Sequence, residues 1–145
     1  MNYWIFKCNP KRYGLTDRLV DPASRITWLV TRYRKQIDVG DTVFLLETGS
    51  KRAIRAVVTV TVSPHETEEL ESERAYWKEP DFGKKWRIEG TITHRVELPI
   101  TEIEAVDGLL NLSIIKGWQQ GTNFRVSTHE GEILMEIIQN MSPQN

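Results

Sequence analysis

Tryptophan is the residue type whose number and placement in this sequence point most directly to a chemical task. The 145-residue chain holds five Trp against four Tyr and four Phe. Trp4 and Trp86 lie in apolar, strand-like stretches, whereas Trp28, Trp77 and Trp118 lie in polar segments. An indole in a polar segment can stack on a nucleic-acid base for about 1–3 kcal/mol, and a base lifted from its strand is held between such surfaces. Tryptophans that pin loops to a sheet explain the same pattern, so both interpretations stay open.

Charge is distributed unevenly along the chain. The formal net charge is −1, but residues 1–60 carry +6 and residues 61–145 carry −7. The acidic part begins with a run over residues 66–73. This asymmetry is compatible with a basic face for a phosphate backbone, and equally with two solvated surfaces that bind nothing. The acidic run either docks a partner protein or forms a solvated helix face.

Residues with the spacing of a catalytic or metal site are missing from the sequence. Cys8, the single cysteine, ends a strand that we expect to be buried, where a thiol usually fills space. Paired with a distant histidine, it would instead be a nucleophile. The three histidines are far apart and lack ligand spacing, and no Gly-rich phosphate loop or dinucleotide fingerprint is present. We therefore predict no catalytic residue, no metal and no cofactor.

Composition favours an ordinary globular protein. The chain is 39% hydrophobic and 27% charged, and its length fits a single domain over residues 1–145. No apolar stretch approaches the ~20 residues of a membrane-spanning helix. The first residues lack the pattern of a signal peptide, and one cysteine suits a reducing compartment. We expect a cytoplasmic protein without a membrane partner.

Short strands dominate the secondary structure that the sequence predicts. Gly40 suits a turn with positive φ before the third strand, and Pro64 is expected to end the fourth. Apolar and β-branched residues predict strands over residues 2–8, 26–31, 42–48, 53–63, 86–96 and 124–127.

Helices are expected around the sheet and at the carboxyl end. We predict short helices over residues 13–20 and, with an acidic composition, 65–75, and a helical turn capped by Thr101. A second capping box, from Ser127 to Glu130, precedes a helix with one apolar stripe: Ile133, Leu134, Ile137, Ile138 and Met141. The fold class is therefore α+β, a small mixed barrel-like sheet with peripheral helices and a C-terminal capping helix.

Six short motifs follow one another along the chain. They are Tyr3-Trp4-Ile5-Phe6-Lys7-Cys8-Asn9-Pro10, Trp28 through Arg32-Tyr33, Val39-Gly40-Asp41-Thr42-Val43-Phe44, Trp86-Arg87-Ile88, Leu98-Pro99-Ile100-Thr101 and Phe124-Arg125-Val126-Ser127. In this order they resemble the EVE domain family, a PUA-like group similar to YTH domains, over almost the whole chain. The resemblance implies a PUA-like curved mixed β-barrel that binds a modified base in nucleic acid, with a modified cytosine in DNA favoured over RNA.

The same resemblance implies which residues would contact the nucleic acid. Lys7, Cys8 and Asn9 match the "Lys-Ser-Asn" of YTH-type pockets, where the lysine meets a phosphate and the asparagine reads a base edge. Cysteine replaces the serine here, which weakens any hydroxyl contact. Trp28 matches the first tryptophan of the aromatic cage, and the backbone of Leu29 matches the residue that bonds the base.

Further contacts are implied by residues outside these two motifs. Arg32 stands where the family has asparagine before tyrosine, and we expect it to meet phosphates together with its basic neighbours. Trp77 is the candidate for the second wall of the cage, with Trp86 as the alternative. Trp118 and Gln119 fall where related domains have a polar loop that touches the nucleic-acid backbone.

Two other functions stay open for a chain with this resemblance. One is a reader of modified bases in RNA. The other is a PUA-like hydrolase that acts on a small modified nucleoside with Lys7 and either Glu47 or Thr48. The sequence does not identify an effector protein that would act with the domain.

Overall fold

Strands over six segments build one mixed sheet. The computed structural model describes residues 1–79, 83–110, 112 and 122–141. The strands are β1 (Tyr3–Cys8), β2 (Arg25–Leu29), β3 (Thr42–Glu47), β4 (Ala53–Thr67), β5 (Lys85–Pro99) and β6 (Asn123–Val126). Their order in the sheet is β2-β5-β4-β3-β1-β6. The β1–β3 pair is parallel and the other neighbouring pairs are antiparallel.

Four short helices in the described ranges accompany the sheet, so the mixed α+β class is confirmed. None of the helices in the described ranges is long and apolar enough to cross a membrane. The helices are α1 (Leu15–Val20), α2 (Glu71–Arg74), α3 (Ile100–Glu104) and α4 (Thr128–Gln139). A 3-10 turn over Asp107–Leu109 follows α3.

Side chains that alternate along β1 enter two separate apolar cores. Tyr3 and Ile5 belong to the first core, which α3, the 3-10 turn and α4 cover. Trp4 and Phe6 belong to the second core, on the other face of the strand. Trp4 is fully buried, and its indole N–H donates to the Asp41 carboxylate at 2.9 Å. Trp4 is therefore a core residue, in keeping with its place in an apolar, strand-like stretch of the sequence.

Helix α4 begins and packs as the sequence predicts. The Ser127 side chain and the Glu130 backbone form the predicted capping box, with reciprocal contacts from the Glu130 side chain. The apolar stripe faces the first core. Gly131 lies against the ring of Tyr3, where an added Cβ would stand 2.1 Å from the ring Cγ. Only glycine allows the helix to approach β1 this closely.

Strand β4 continues past Pro64, which was expected to end it. The strand register shifts between Val62 and His65, so the proline lies at an irregularity of the ladder. A residue without a backbone N–H is tolerated at such a position. Residues 65–67 therefore pair with β5 instead of starting a helix, and the helix predicted over residues 65–75 is limited to Glu71–Arg74.

The helix near Thr101 forms, but without the predicted cap. Helix α3 begins one residue earlier, at Ile100, and Pro99 takes the cap position without a side-chain hydrogen bond. The fixed φ of proline suits this entry into a helix. Thr101 lies inside the first turn, where its hydroxyl does not act as the cap.

The two edge strands, β2 and β6, approach each other at one end of the sheet. Asn123 is buried there, and its side-chain oxygen accepts from the Thr31 backbone N–H at 2.8 Å. Its amide nitrogen donates to the Leu29 carbonyl at 3.1 Å. Among the described residues no backbone ladder joins the two edges. The sheet is thus open, and the closed barrel stays a prediction.

Candidate functional site

Three aromatic side chains from distant parts of the chain meet in what we call the aromatic cluster: Tyr13, Trp28 and Trp77. The ring centroids of Tyr13 lie 5.0 Å from Trp28 and 4.8 Å from Trp77. Those of Trp28 and Trp77 lie 6.2 Å apart at an interplanar angle of 36°. Trp28 is 4% exposed, whereas Trp77 is half-buried and covers it. The structure therefore brings together two of the tryptophans singled out by the sequence.

The space between Trp28 and Trp77 does not hold a base in this arrangement. Each stacking contact requires about 3.5 Å between carbon atoms, so a base between two rings needs them roughly 7 Å apart and parallel. The observed rings are closer and tilted. A gap beside Trp28, lined by Thr27, Val43 and Val58 among others, is too small for a water molecule. A base reaches Trp28 only when the indole of Trp77 moves.

A buried carboxylate, Glu69, lies beside the aromatic cluster. It is 4% exposed, and its Oε2 accepts the indole N–H of Trp77 at 2.8 Å. Its Oε1 accepts from the hydroxyl of Thr27 and, at 2.9 Å, from the Leu70 backbone N–H. The Arg87 guanidinium Nε lies 3.8 Å from Oε2. The cluster is thus bordered by an acid that the sequence did not single out.

A second buried carboxylate, Glu73, anchors the segment that carries Trp77. It accepts from Arg18 Nε at 2.7 Å and from the Tyr13 hydroxyl at 2.8 Å. Burial raises the pKa of Glu73, while the Tyr13 hydrogen bond and the Arg18 charge oppose that shift. We call residues 69–78 the covering segment. The two buried carboxylates, Glu69 and Glu73, hold the first half of the covering segment in place.

Backbone hydrogen bonds attach the covering segment to the chain before α1. The Gly14 N–H donates to the Tyr76 carbonyl at 2.8 Å, and the Lys78 N–H donates to the Arg12 carbonyl at 2.9 Å. These bonds form an isolated bridge between Tyr13 and Trp77. The backbone on both sides of Trp77 is thereby held against residues 12–14.

Positive side chains gather around Lys7 in what we call the basic group: Lys7, Arg32 and Arg52. The Lys7 ammonium lies 4.6 Å and the Arg32 guanidinium carbon 4.7 Å from the Phe124 ring centroid. Arg32 also donates to the Asn123 carbonyl at 2.6 Å. Burial and the charges of Arg52 and Arg32 lower the pKa of Lys7. Cations this close repel one another, so a phosphate between them would be stabilised.

The basic group and the aromatic cluster lie on opposite sides of the end of β1. Lys7 extends over Phe124, a residue of the first core. Cys8, the next residue, belongs to the second core, and its sulfur lies 3.8 Å from the Tyr13 carbonyl. Arg32 follows Trp28 by four residues. Both features thus lie at the end of β1, on opposite faces of the strand.

Other predicted contact residues are engaged elsewhere. Asn9 is exposed, and its side-chain oxygen accepts from the Lys11 backbone N–H at 2.9 Å in a turn. The Leu29 carbonyl accepts from Asn123. Trp86, the alternative second wall, lies under the Arg34 guanidinium, 4.8 Å from the ring centroid. Two further predicted contacts lie outside the described residues: Trp118 and Gln119.

Of the two combinations considered for hydrolysis, Lys7 with Thr48 stays a prediction, and the Thr48 hydroxyl donates to the Cys8 carbonyl at 3.2 Å. Lys7 with Glu47 is separated by the sheet. Lys7 and Leu46 are register partners, and Cys8 pairs with Glu47. Because side chains alternate, Lys7 and Glu47 point to opposite faces. Glu47 forms an ion pair with Arg55. Within the described part of the chain, no group of three or more His, Cys, Asp or Glu side chains is placed to hold a metal ion.

Cys8 is expected to resist thiol reagents in the folded protein. Burial and the nearby Glu47 raise the pKa of Cys8 from 9.0 to about 12. This shift lowers the thiolate fraction at pH 8 about a thousandfold, because each pKa unit is a factor of ten. Absorbance with a disulfide reagent should show no labelling of the native protein within an hour and one thiol after denaturation. Rapid labelling of the native protein would restore Cys8 as a candidate nucleophile.

Comparisons with known proteins identify the family and the fold. The sequence model of the EVE domain matches residues 2–137. A hypothetical protein from Leishmania major has a similar structure, with TM-score 0.69, 12% identity and coverage of 96% of this chain and 95% of that one. Rpa0253 from Rhodopseudomonas palustris has TM-score 0.67 and 12% identity, with coverage of 99% and 97%. Both identities are low, so these likenesses show the fold alone.

A third similar structure is human THYN1 in complex with DNA that contains 5-methylcytosine. Its TM-score is 0.68 at 11% identity, with coverage of 99% of this chain and 100% of that chain. A search of curated proteins finds no significant match. The fold is thus shared over the full length with proteins of very different sequence.

Proposed function

The chain belongs to the EVE domain family, and on that basis we propose that it binds nucleic acid and takes a modified base, a modified cytosine in DNA, into its aromatic cluster. The observation that carries the proposal is the buried face of Trp28, covered by Trp77, with the basic group on the other side of the end of β1. Human THYN1, which has the same fold, is known in complex with 5-methylcytosine DNA. That complex supports DNA as the partner proposed for this chain.

The two features of the site have different tasks in this proposal. The basic group supplies affinity for the phosphate backbone, which depends on salt and does not distinguish bases. The aromatic cluster supplies selectivity, since a base stacked on Trp28 gains about 1–3 kcal/mol. Lifting a base from a duplex costs a few kcal/mol. The gain from stacking and the cost of lifting the base are similar in size. We therefore expect modest affinity that depends strongly on the modification.

Substitution of Trp28 tests whether the cluster holds the base. Wild-type protein should prefer one modified strand in a panel of unmodified, 5-methylcytosine, 5-hydroxymethylcytosine and N6-methyladenine oligonucleotides, prepared as DNA and as RNA. Trp28→Leu keeps an apolar side chain in the core but removes the stacking face. We expect it to weaken binding of the preferred strand about tenfold in fluorescence anisotropy, from a loss of roughly 1.4 kcal/mol.

Two control variants separate base binding from phosphate binding. Arg32→Gln should weaken binding of every strand by a similar factor and reduce the dependence of affinity on salt, because it removes a phosphate contact. Trp86→Leu should leave the preference for the modified strand unchanged. Equal affinity for all strands, unaffected by Trp28→Leu, would contradict the proposed function. A preference for RNA strands would favour the RNA reader instead.

A further inference from the structure

We propose that Glu69 accepts a hydrogen bond from the amino group of the bound base, and that the Trp77 indole occupies the place of that base in the free protein. The proposal rests on the proposed function and deepens it by naming the residue that recognises the base and the group that it reads. Bases with an amino group at position 4 of a pyrimidine or position 6 of a purine, cytosine and adenine, would be accepted. Thymine and uracil, which carry a carbonyl in the corresponding position of the pyrimidine ring, would be disfavoured.

The indole of Trp77 already shows what the site accommodates. It is a flat aromatic ring in contact with the rings of Trp28 and Tyr13. Its edge presents one N–H donor, which is bonded to Glu69 Oε2 at 2.8 Å. A nucleobase with an amino group has the same two properties, a flat face and an N–H at its edge. The contacts of the indole therefore describe a site that fits such a base.

One oxygen of the Glu69 carboxylate, Oε2, takes its hydrogen bond from the Trp77 indole. Its Oε1 is bonded to the Thr27 hydroxyl and to the Leu70 N–H. Its Oε2 has the indole N–H, while Arg87 Nε, at 3.8 Å, is beyond hydrogen-bond distance. When the indole leaves, Oε2 loses the hydrogen bond that it accepts in the free protein, and losing a bond to a charged group is costly. A ligand with an N–H of its own would replace that bond.

A carboxylate oxygen at this position distinguishes amino groups from carbonyl groups. An ionised carboxylate only accepts hydrogen bonds, and carboxylates pair with the N4 amino group of cytosine. A thymine turned the same way would place its O4 carbonyl against Oε2, so two acceptors would face each other. A methyl group on C5 leaves the amino group intact. Glu69 thus selects the base class, and the remaining contacts of the pocket select the modification.

Cytosine methylated at C5 and thymine are a matched pair of ligands for this test. Both bases carry the C5 methyl group, and they differ at position 4, amino against carbonyl, and in the proton at N3. The experiment compares two single-stranded DNA oligonucleotides that differ only at this base, so that base pairing does not contribute. We expect wild-type protein to bind the 5-methylcytosine strand at least about tenfold more tightly, as expected for one hydrogen bond to a charged group.

The variant Glu69→Gln should reduce that preference to threefold or less. A glutamine amide presents either an oxygen or an NH₂ group, so it accepts from cytosine or donates to thymine. Glu73→Gln is the matched control, because Glu73 is equally buried in the covering segment but is bonded to Arg18 and Tyr13. We expect it to retain the wild-type preference. Thermal unfolding verifies that both variants are folded at the temperature of measurement.

The outcomes separate this proposal from the proposed function. If wild-type protein binds the two strands equally well and binding still depends on Trp28, the role of Glu69 is overturned. The proposed reader function then still holds. This comparison uses wild-type protein and needs no variant at Glu69. A preference that persists in folded Glu69→Gln overturns that role as well. Absence of wild-type binding to any strand of the modified-base panel overturns the proposed function and this inference together.

Discussion

Trp77→Ala is expected to raise the affinity for a 5-methylcytosine strand by about tenfold to a hundredfold. In the free protein a base must displace the indole, which costs the hydrogen bond to Glu69 and the ring contacts with Trp28 and Tyr13. A hydrogen bond to a charged group contributes about 1.5–3 kcal/mol. Removing this internal competitor increases the fraction of protein that is competent to bind. Anisotropy titrations of both proteins with the same strand measure the change.

The matched control for this prediction is Trp86→Ala. Trp86 belongs to β5 and is also half-buried, but its ring lies under the Arg34 guanidinium and does not cover Trp28. Its removal should change the affinity by no more than about twofold. The sequence predicts instead that Trp77 forms the second wall of the cage. In that case Trp77→Ala weakens binding, since a stacking contact worth about 1–3 kcal/mol is lost. A rise in affinity would mean that Trp77 occupies the place of the base, and a fall would mean that Trp77 forms the second wall of the cage.

The sequence predicts the strands well because their signal is local. Runs of apolar and β-branched residues mark β3 and most of β4, and the capping box marks the start of α4. The boundary at Pro64 is wrong because the end of a strand depends on its partner. Residues 65–67 have no strong strand propensity of their own, but β5 offers them a continuous edge across the irregularity. Pairing with a neighbour overrides the local preference.

The candidate site is only partly visible in the sequence because its contacts join distant residues. Trp28 and Trp77 are identified by their unusual placement, but nothing local shows that their rings touch. Glu69 and Glu73 are spaced like any pair on a solvated acidic helix. Their burial follows from partners elsewhere in the chain, above all Arg18, which precedes Glu73 by 55 residues. The acidic run is therefore neither a simple solvated face nor a continuous docking surface.

The uneven charge of the two halves also changes meaning in the folded protein. Several basic residues of the first 60 pair with acids, so they are not available as a basic face. Arg18 is buried against Glu73, and Arg55 is paired with Glu47. The basic group is a different set of residues, spread over the first 52, and two of them, Lys7 and Arg32, lie at the Phe124 ring. Its location, and not the total charge, supports a phosphate contact.

Glu73→Ala is expected to lower the free energy of unfolding by about 3–5 kcal/mol, the range for breaking a buried ion pair from one side. The substitution leaves the Arg18 Nε and the Tyr13 hydroxyl buried without their acceptor. Arg18 is 1% exposed, so water does not readily replace the carboxylate. Urea unfolding followed by circular dichroism measures the loss. Glu71→Ala, on the exposed side of the same helix, should change the free energy by less than about 0.5 kcal/mol.

A double variant shows how much of that loss comes from the unpaired charge. In Arg18→Met combined with Glu73→Ala, the guanidinium that Glu73 would leave unpaired is absent, so the loss should be smaller than the sum of the two single losses. Full recovery is not expected, because Arg18 also donates to the Ala23 and Arg25 carbonyls. Additive losses would mean that Arg18 and Glu73 do not stabilise each other as a buried ion pair. The covering segment would then owe its position to its backbone bonds with residues 12–14, and Trp77 would stay over Trp28 without Glu73.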